Sequence, residues 1–128
     1  MAPTDIINFW RTSAVDDWES TEALLAAKKY SQALFFCHLA LEKLLKGLVY
    51  AKTNQPPLPI HNLAKLAQQA KLIFTKKQEK QLNEITSWNI NARYDDYKLR
   101  FYLKASLGFT TKWLNTAKEL FTWLKNQY

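Results

Sequence analysis

At 128 residues the chain is long enough to bury a core without metal or disulfide and short for two domains, so a single domain over residues 1–128 is expected. Two Gly and four Pro are too few turn residues for a sandwich or barrel, while 48% apolar residues, including five Trp, six Tyr and seven Phe, supply a bulky core. Net charge is +7, unevenly placed: Asp5, Asp16, Asp17, Glu19 and Glu22 against Arg11 make residues 1–22 −4, leaving +11 on the rest, a field that attracts phosphates.

The composition predicts an all-α antiparallel bundle of about five helices. Thr4 or Asp5 is expected to cap the first, which runs to about Lys28 with Ile7, Trp10, Ala14, Trp18 (or Asp17), Thr21 and Leu25 at helical spacing. Ser31 is the natural cap of a second helix, roughly 32–53. It is apolar around most of its circumference (Ala33, Leu34, Cys37, Ala40, Leu41, Leu44, Leu45, Leu48, Ala51), so several neighbours must cover it. The prolines of 53–60 break the chain, because each pushes its predecessor out of helical torsions. A short third helix follows His61-Asn62, with Leu63, Leu66, Ala67 and Ala70 inward. Thr75 caps a fourth at about 76–90, with Leu82, Ile85 and Trp88 inward and Lys76, Lys77 and Lys80 at its positive dipole end.

Residues 89–98 lack a helical period and read as a structured loop or broken helix. The last helix, about 99–126, carries Leu103, Leu107, Thr110, Leu114, Ala117, Phe121 and Leu124 as a seam for a bundle or a second copy. Phe101, Phe109, Trp113 and Trp123 are spread around it, so a homodimer with an apolar interface is expected. No apolar run approaches the roughly 20 residues that span a bilayer, and the first ten residues lack the basic and apolar regions of a secretory signal. A cytoplasmic protein without membrane contact is expected.

The search for chemistry excludes more than it finds. One cysteine, Cys37, rules out an intrachain disulfide and a multi-thiolate metal site, and is expected to be a buried, inert thiol. No Gly-rich phosphate loop exists, and two separated His with one Cys make no zinc site. No metal, cofactor or catalytic residue is assigned. Two constellations and one residue remain. His38, Glu42 and Lys46 form a polar stripe at i, i+4 and i+8 on the second helix, either a solvated edge with an ion pair or part of a site. In Arg93-Tyr94-Asp95-Asp96-Tyr97 an Arg beside aromatics suits phosphate and base, yet the two Asp would partly neutralise it. The alternative is a loop pinned by an Arg–Asp pair. His61 either joins a site or bonds its preceding loop.

Together these segments resemble the HEPN domain family. "YSQALFFCHLALEKLLKGLVY" (30–50) looks like its signature helix. "HNLAKL" (61–66) is similar to its His-x-Leu-x-x-Leu helix start, "ARYDDY" (92–97) to its Ala-Arg-Tyr-Pro element, and Ala14 to Leu25 to an early pattern. Asp95 stands where the family usually has Pro. The resemblance implies a bundle of about five helices, usually dimeric, and a partnership with a minimal nucleotidyltransferase in a toxin–antitoxin pair, or nucleotide or RNA binding. It marks Glu42, Lys46, His61, Arg93 and Tyr94 as ligand-binding candidates. Toxic members are metal-independent endoribonucleases with an Arg, four to six residues, then His. Here Lys98, Leu99 and Arg100 occupy those places after Arg93, so binding without cleavage is expected; the alternatives are a toxin with His61 as the only substitute proton carrier, or a purely structural dimerisation domain.

Overall fold

The computed structural model describes residues 3–128, which fold into six helices with no strand among them. The helices are α1 (Pro3–Ala26), α2 (Tyr30–Thr53), α3 (Leu63–Gln69), α4 (Lys76–Asn91), α5 (Arg100–Lys104) and α6 (Leu107–Lys125). The all-α bundle is as expected. α2 touches each of the other five, because twelve of its residues are buried, spread around its circumference. Of its expected inward residues only Ala51 is exposed.

Local chemistry explains the boundaries. Helix α1 is already under way at Pro3, so Thr4 and Asp5 lie in its first turn rather than at its cap. It ends two residues early because Lys28 turns left-handed (φ 62°), and the Lys28 and Lys29 amides bond back to the Leu25 and Leu24 carbonyls. That places Lys29 at the start of α2 and Ser31 inside its first turn, with the Ser31 hydroxyl on Gln32 instead of capping. Asn62 caps α3 through the Lys65 amide. Thr75 and Gln78 close a reciprocal capping box on α4.

The largest departure is the last helix, which is two. Leu99 is left-handed (φ 53°), α5 stops at Lys104, and Ser106 restarts the chain by accepting the Phe109 amide. Residues from Thr110 onward follow the expected seam and are buried, but Leu103 and Leu107 are 70% and 59% exposed. Phe101 is buried, and Phe109, Trp113 and Trp123 are half-buried against the core.

Helices α1 and α2 form an antiparallel hairpin in which Ser13 and Asp17 meet Lys43 while Trp10 meets Gly47. Helix α6 runs antiparallel to α1, with Phe121 stacked on Trp18 at 4.9 Å and the Tyr128 ring against Arg11. A Cβ on Gly47 would lie 2.8 Å from the Trp10 Cβ and collide with the Tyr128 hydroxyl, which donates to the Leu44 carbonyl. Glycine there is a requirement of close helix approach. Cys37 is fully buried, and burial pushes its thiol pKa far up, as an inert thiol requires. No helix is long and apolar enough to cross a membrane among the described residues.

Candidate functional site

Glu42 is the hub of the polar stripe on α2. Its carboxylate is nearly buried. One oxygen accepts from His61 Nδ1 at 2.8 Å, and the other pairs with Lys46 Nζ at 3.1 Å. The stripe is therefore not a solvated edge: His38 is fully buried, and the Lys46 side chain is only 13% exposed, its ammonium 6.0 Å from the Trp10 ring centre. A charge this deep persists because two partners answer it.

His38 fixes the geometry of the loop before α3. Its Nε2 donates to the His61 carbonyl at 3.0 Å, which sets the proton on Nε2 and leaves the buried Nδ1 without a partner. Burial lowers the His38 pKa below the usual imidazole value, chiefly by desolvation. The His61 carbonyl and Glu42 oppose that shift, while His61 and Arg93 reinforce it. The ring is thus neutral, and the α2–α3 loop hangs on it by one bond. A second bond, from the Leu63 amide to Thr86 Oγ1 (3.0 Å), ties the same end of α3 to α4.

His61 is held by these contacts but is not enclosed, its side chain being 56% exposed. With Nδ1 turned to Glu42, its Nε2 is left for solvent or a ligand. The preceding loop does not take its ring.

Arg93 lies just beyond the end of α4, on the side where α2 presents Phe35 and His38. Its Nε donates to the Asn89 carbonyl at 3.0 Å and its guanidinium sits over Phe35 (5.4 Å) and Tyr94 (5.2 Å). No carboxylate pairs with it among the described residues, so the expected Arg–Asp pin is absent. Asp95 instead accepts the Asp96, Phe101 and Tyr102 amides; desolvation raises its pKa but those bonds outweigh it, and the net shift is down. Asp96 accepts the Lys98 and Arg100 amides and pairs with the Arg100 side chain at 3.1 Å. Both acids are occupied in starting α5 rather than in pairing with Arg93.

His61 and Arg93 therefore flank His38, one held by Glu42 and the other by Asn89 and two rings. Glu42 and Lys46 form a buried support, and Tyr94 is 70% exposed beside Arg93. His38, expected as part of the α2 stripe, sits at the centre of the frame; Phe35, Asn89 and Thr86 complete it and were not expected. Two of them carry a signal in the sequence: Phe35 precedes His38 by three and Asn89 precedes Arg93 by four, both same-face helical spacings. No group of three or more His, Cys, Asp or Glu among the described residues is arranged to hold a metal.

Nothing among the curated proteins or the solved structures matches this chain significantly. A family model does, that of the HEPN domain, over residues 7–127, which takes in every site residue and all of the helices except the first turn of α1. A match over nearly the whole chain, on an all-helical bundle, means that the protein belongs to the HEPN domain family.

Proposed function

We propose that the protein is a HEPN-type binding module whose ligand is a phosphate-bearing one, a nucleotide or RNA, taken up between Arg93 and His61. The carrying observation is that Arg93 has no carboxylate partner among the described residues and is bracketed by Phe35 and Tyr94, while its neighbouring acids are consumed by backbone amides. A guanidinium is a fork for phosphate, and an exposed tyrosine beside it is a platform for a base. His61 adds a second polar contact, oriented by Glu42. Lys46 supports Glu42 rather than reaching the ligand. Arg93→Ala should weaken binding of a labelled mononucleotide or short RNA at least tenfold in a titration, and His61→Ala by less. Unchanged affinity in Arg93→Ala sinks the assignment.

The same reading pairs the chain with a minimal nucleotidyltransferase, in a toxin–antitoxin-like arrangement, and with a second copy of itself. What supports an interface is the exposed apolar run Ile90, Tyr94, Tyr97, Leu99, Tyr102, Leu103 and Leu107. Co-purification with the product of a neighbouring nucleotidyltransferase reading frame tests the first; light scattering giving about 15 kDa at micromolar concentration refutes the second.

A second reading, a metal-independent endoribonuclease, is favoured by one observation. Glu42 holds His61 by Nδ1 and leaves Nε2 outward, the orientation a general base needs, and His61 and Arg93 share His38 as a neighbour. RNA fragments with 2′,3′-cyclic phosphate ends, lost in His61→Ala, would establish it. Intact RNA in the absence of metal leaves the binding module.

A further inference from the structure

A second cationic surface lies at the other end of α4. Lys76, Lys77 and Lys80 are exposed, and with Gln81, Glu84 and Trp113 they line a shallow open cleft between α4 and α6. At 100° per residue the five α4 positions cover an arc of about 140°, and Glu79, in the same turn, falls outside it. None of the three ammonium groups is engaged by an acid or a ring among the described residues. Glu84, the one acid in the cleft, is already taken by the Trp88 indole N–H (2.9 Å) and Lys104 (3.6 Å).

The helix terminus is not what recognises a ligand here: the capping box takes the Gln78 amide on Thr75 Oγ1 and the Thr75 amide on Gln78 Oε1, and the side chains carry the cleft. What the cleft offers is three mobile point charges beside a half-buried indole. Trp113 is held edge-on by Trp88 at 5.7 Å and tilted against Phe109 at 6.3 Å. Placing three unanswered lysines at the positive end of a helix dipole disfavours the free protein slightly, and a polyanion removes that penalty.

We infer that the Lys76–Lys77–Lys80 cleft is a docking track for single-stranded nucleic acid, with phosphates on the lysines and a base on Trp113. Lysines follow a backbone without reading sequence, and an indole accepts any base, so the contact is sequence-tolerant and salt-sensitive. It lies about 20 Å along α4 from Arg93, taking 1.5 Å per residue, so a mononucleotide cannot touch both. The track deepens the proposed function without depending on the Arg93 site.

The test uses fluorescein-labelled decauridylate and a labelled mononucleotide, titrated against wild type, Arg93→Ala and three further variants. One is Lys76→Ala/Lys77→Ala/Lys80→Ala. A control, Lys52→Ala/Lys65→Ala/Lys118→Ala, removes equal charge at exposed positions elsewhere. The third is Trp113→Phe, which keeps a ring in the packing. The cleft variant should lose at least tenfold in decamer affinity at low salt. The slope of log K on log salt should flatten by about 2, from three phosphate contacts at about 0.7 each. The control should lose much less, Trp113→Phe should lose a few-fold, and mononucleotide binding should be unchanged in the cleft variant. Equal losses in both triple variants, or displacement of the decamer by polyglutamate at equal charge, would overturn the track in favour of a general field or an acidic protein surface. Failure of the decamer to bind at all overturns it too. Decamer binding that needs the cleft but ignores Arg93→Ala keeps the track and removes the Arg93 site; the reverse pattern does the opposite.

Discussion

Lys46→Met separates a buried support from an exposed ion pair. An exposed i,i+4 pair would cost about 0.3–0.5 kcal/mol to break. Here the Glu42 and Lys46 side chains are 8% and 13% exposed, and their oxygen and nitrogen stand 3.1 Å apart. Removing one partner of a buried pair typically costs about 3–5 kcal/mol, because the remaining charge is stranded. Glu42 keeps the His61 N–H, and Met keeps the packing of the lysine stem near Trp10, so the expected loss falls somewhat below that range, about 2–3 kcal/mol. For 128 residues unfolding with about 2.1 cal/mol/K each, that lowers Tm by about 7–11 °C. Urea melts followed by far-UV circular dichroism give the free energy directly, and a double-mutant cycle supplies the control. Glu42→Gln in the Lys46→Met background removes the stranded charge while keeping an acceptor for His61, so it should recover at least half the loss. A loss below about 0.5 kcal/mol at unchanged m-value, or no recovery in the double variant, would refute the buried-hub account.

Three more outcomes follow from the packing. Burial lowers the His38 pKa from 6.5, so the folded state binds fewer protons than the unfolded chain; the stability is complete above pH 6.5 and is lost as pH falls toward the folded-state value. Melts between pH 7.5 and 5 should fall by up to about 1.4 kcal/mol per unit, and His38→Asn should flatten that slope. Gly47→Ala should destabilise by about 1–3 kcal/mol despite better helix propensity, and pairing it with Tyr128→Leu should relieve part of the cost, since the added Cβ meets the Tyr128 hydroxyl. Ser106→Ala should cost about 1 kcal/mol if α6 begins where the Phe109 amide is capped, and almost nothing if one continuous helix runs through residues 99–126.

Local chemistry determined much of this molecule. The apolar circumference of α2 made it central, the left-handed Asn54 ended it just before the prolines, and Thr75 and Asn62 marked helix starts, because hydrophobic period and capping act over a few residues. The family, too, was legible from motifs at 30–50, 61–66 and 92–97. Tertiary structure decided what depends on distant partners. The stripe His38, Glu42, Lys46 has the same spacing whether wet or buried; its burial comes from His61, nineteen residues on from Glu42, and from Trp10 on α1. The a/d seam ran unbroken through Leu103 and Leu107, yet the carboxylates of Asp95 and Asp96 take the amides that open α5, and Ser106 restarts the chain. Those same bonds leave Arg93 without a carboxylate partner among the described residues. Whether an adjacent Asp neutralises an Arg depends on which donor reaches it first, and backbone amides placed by the fold reached Asp95 and Asp96 before the guanidinium did.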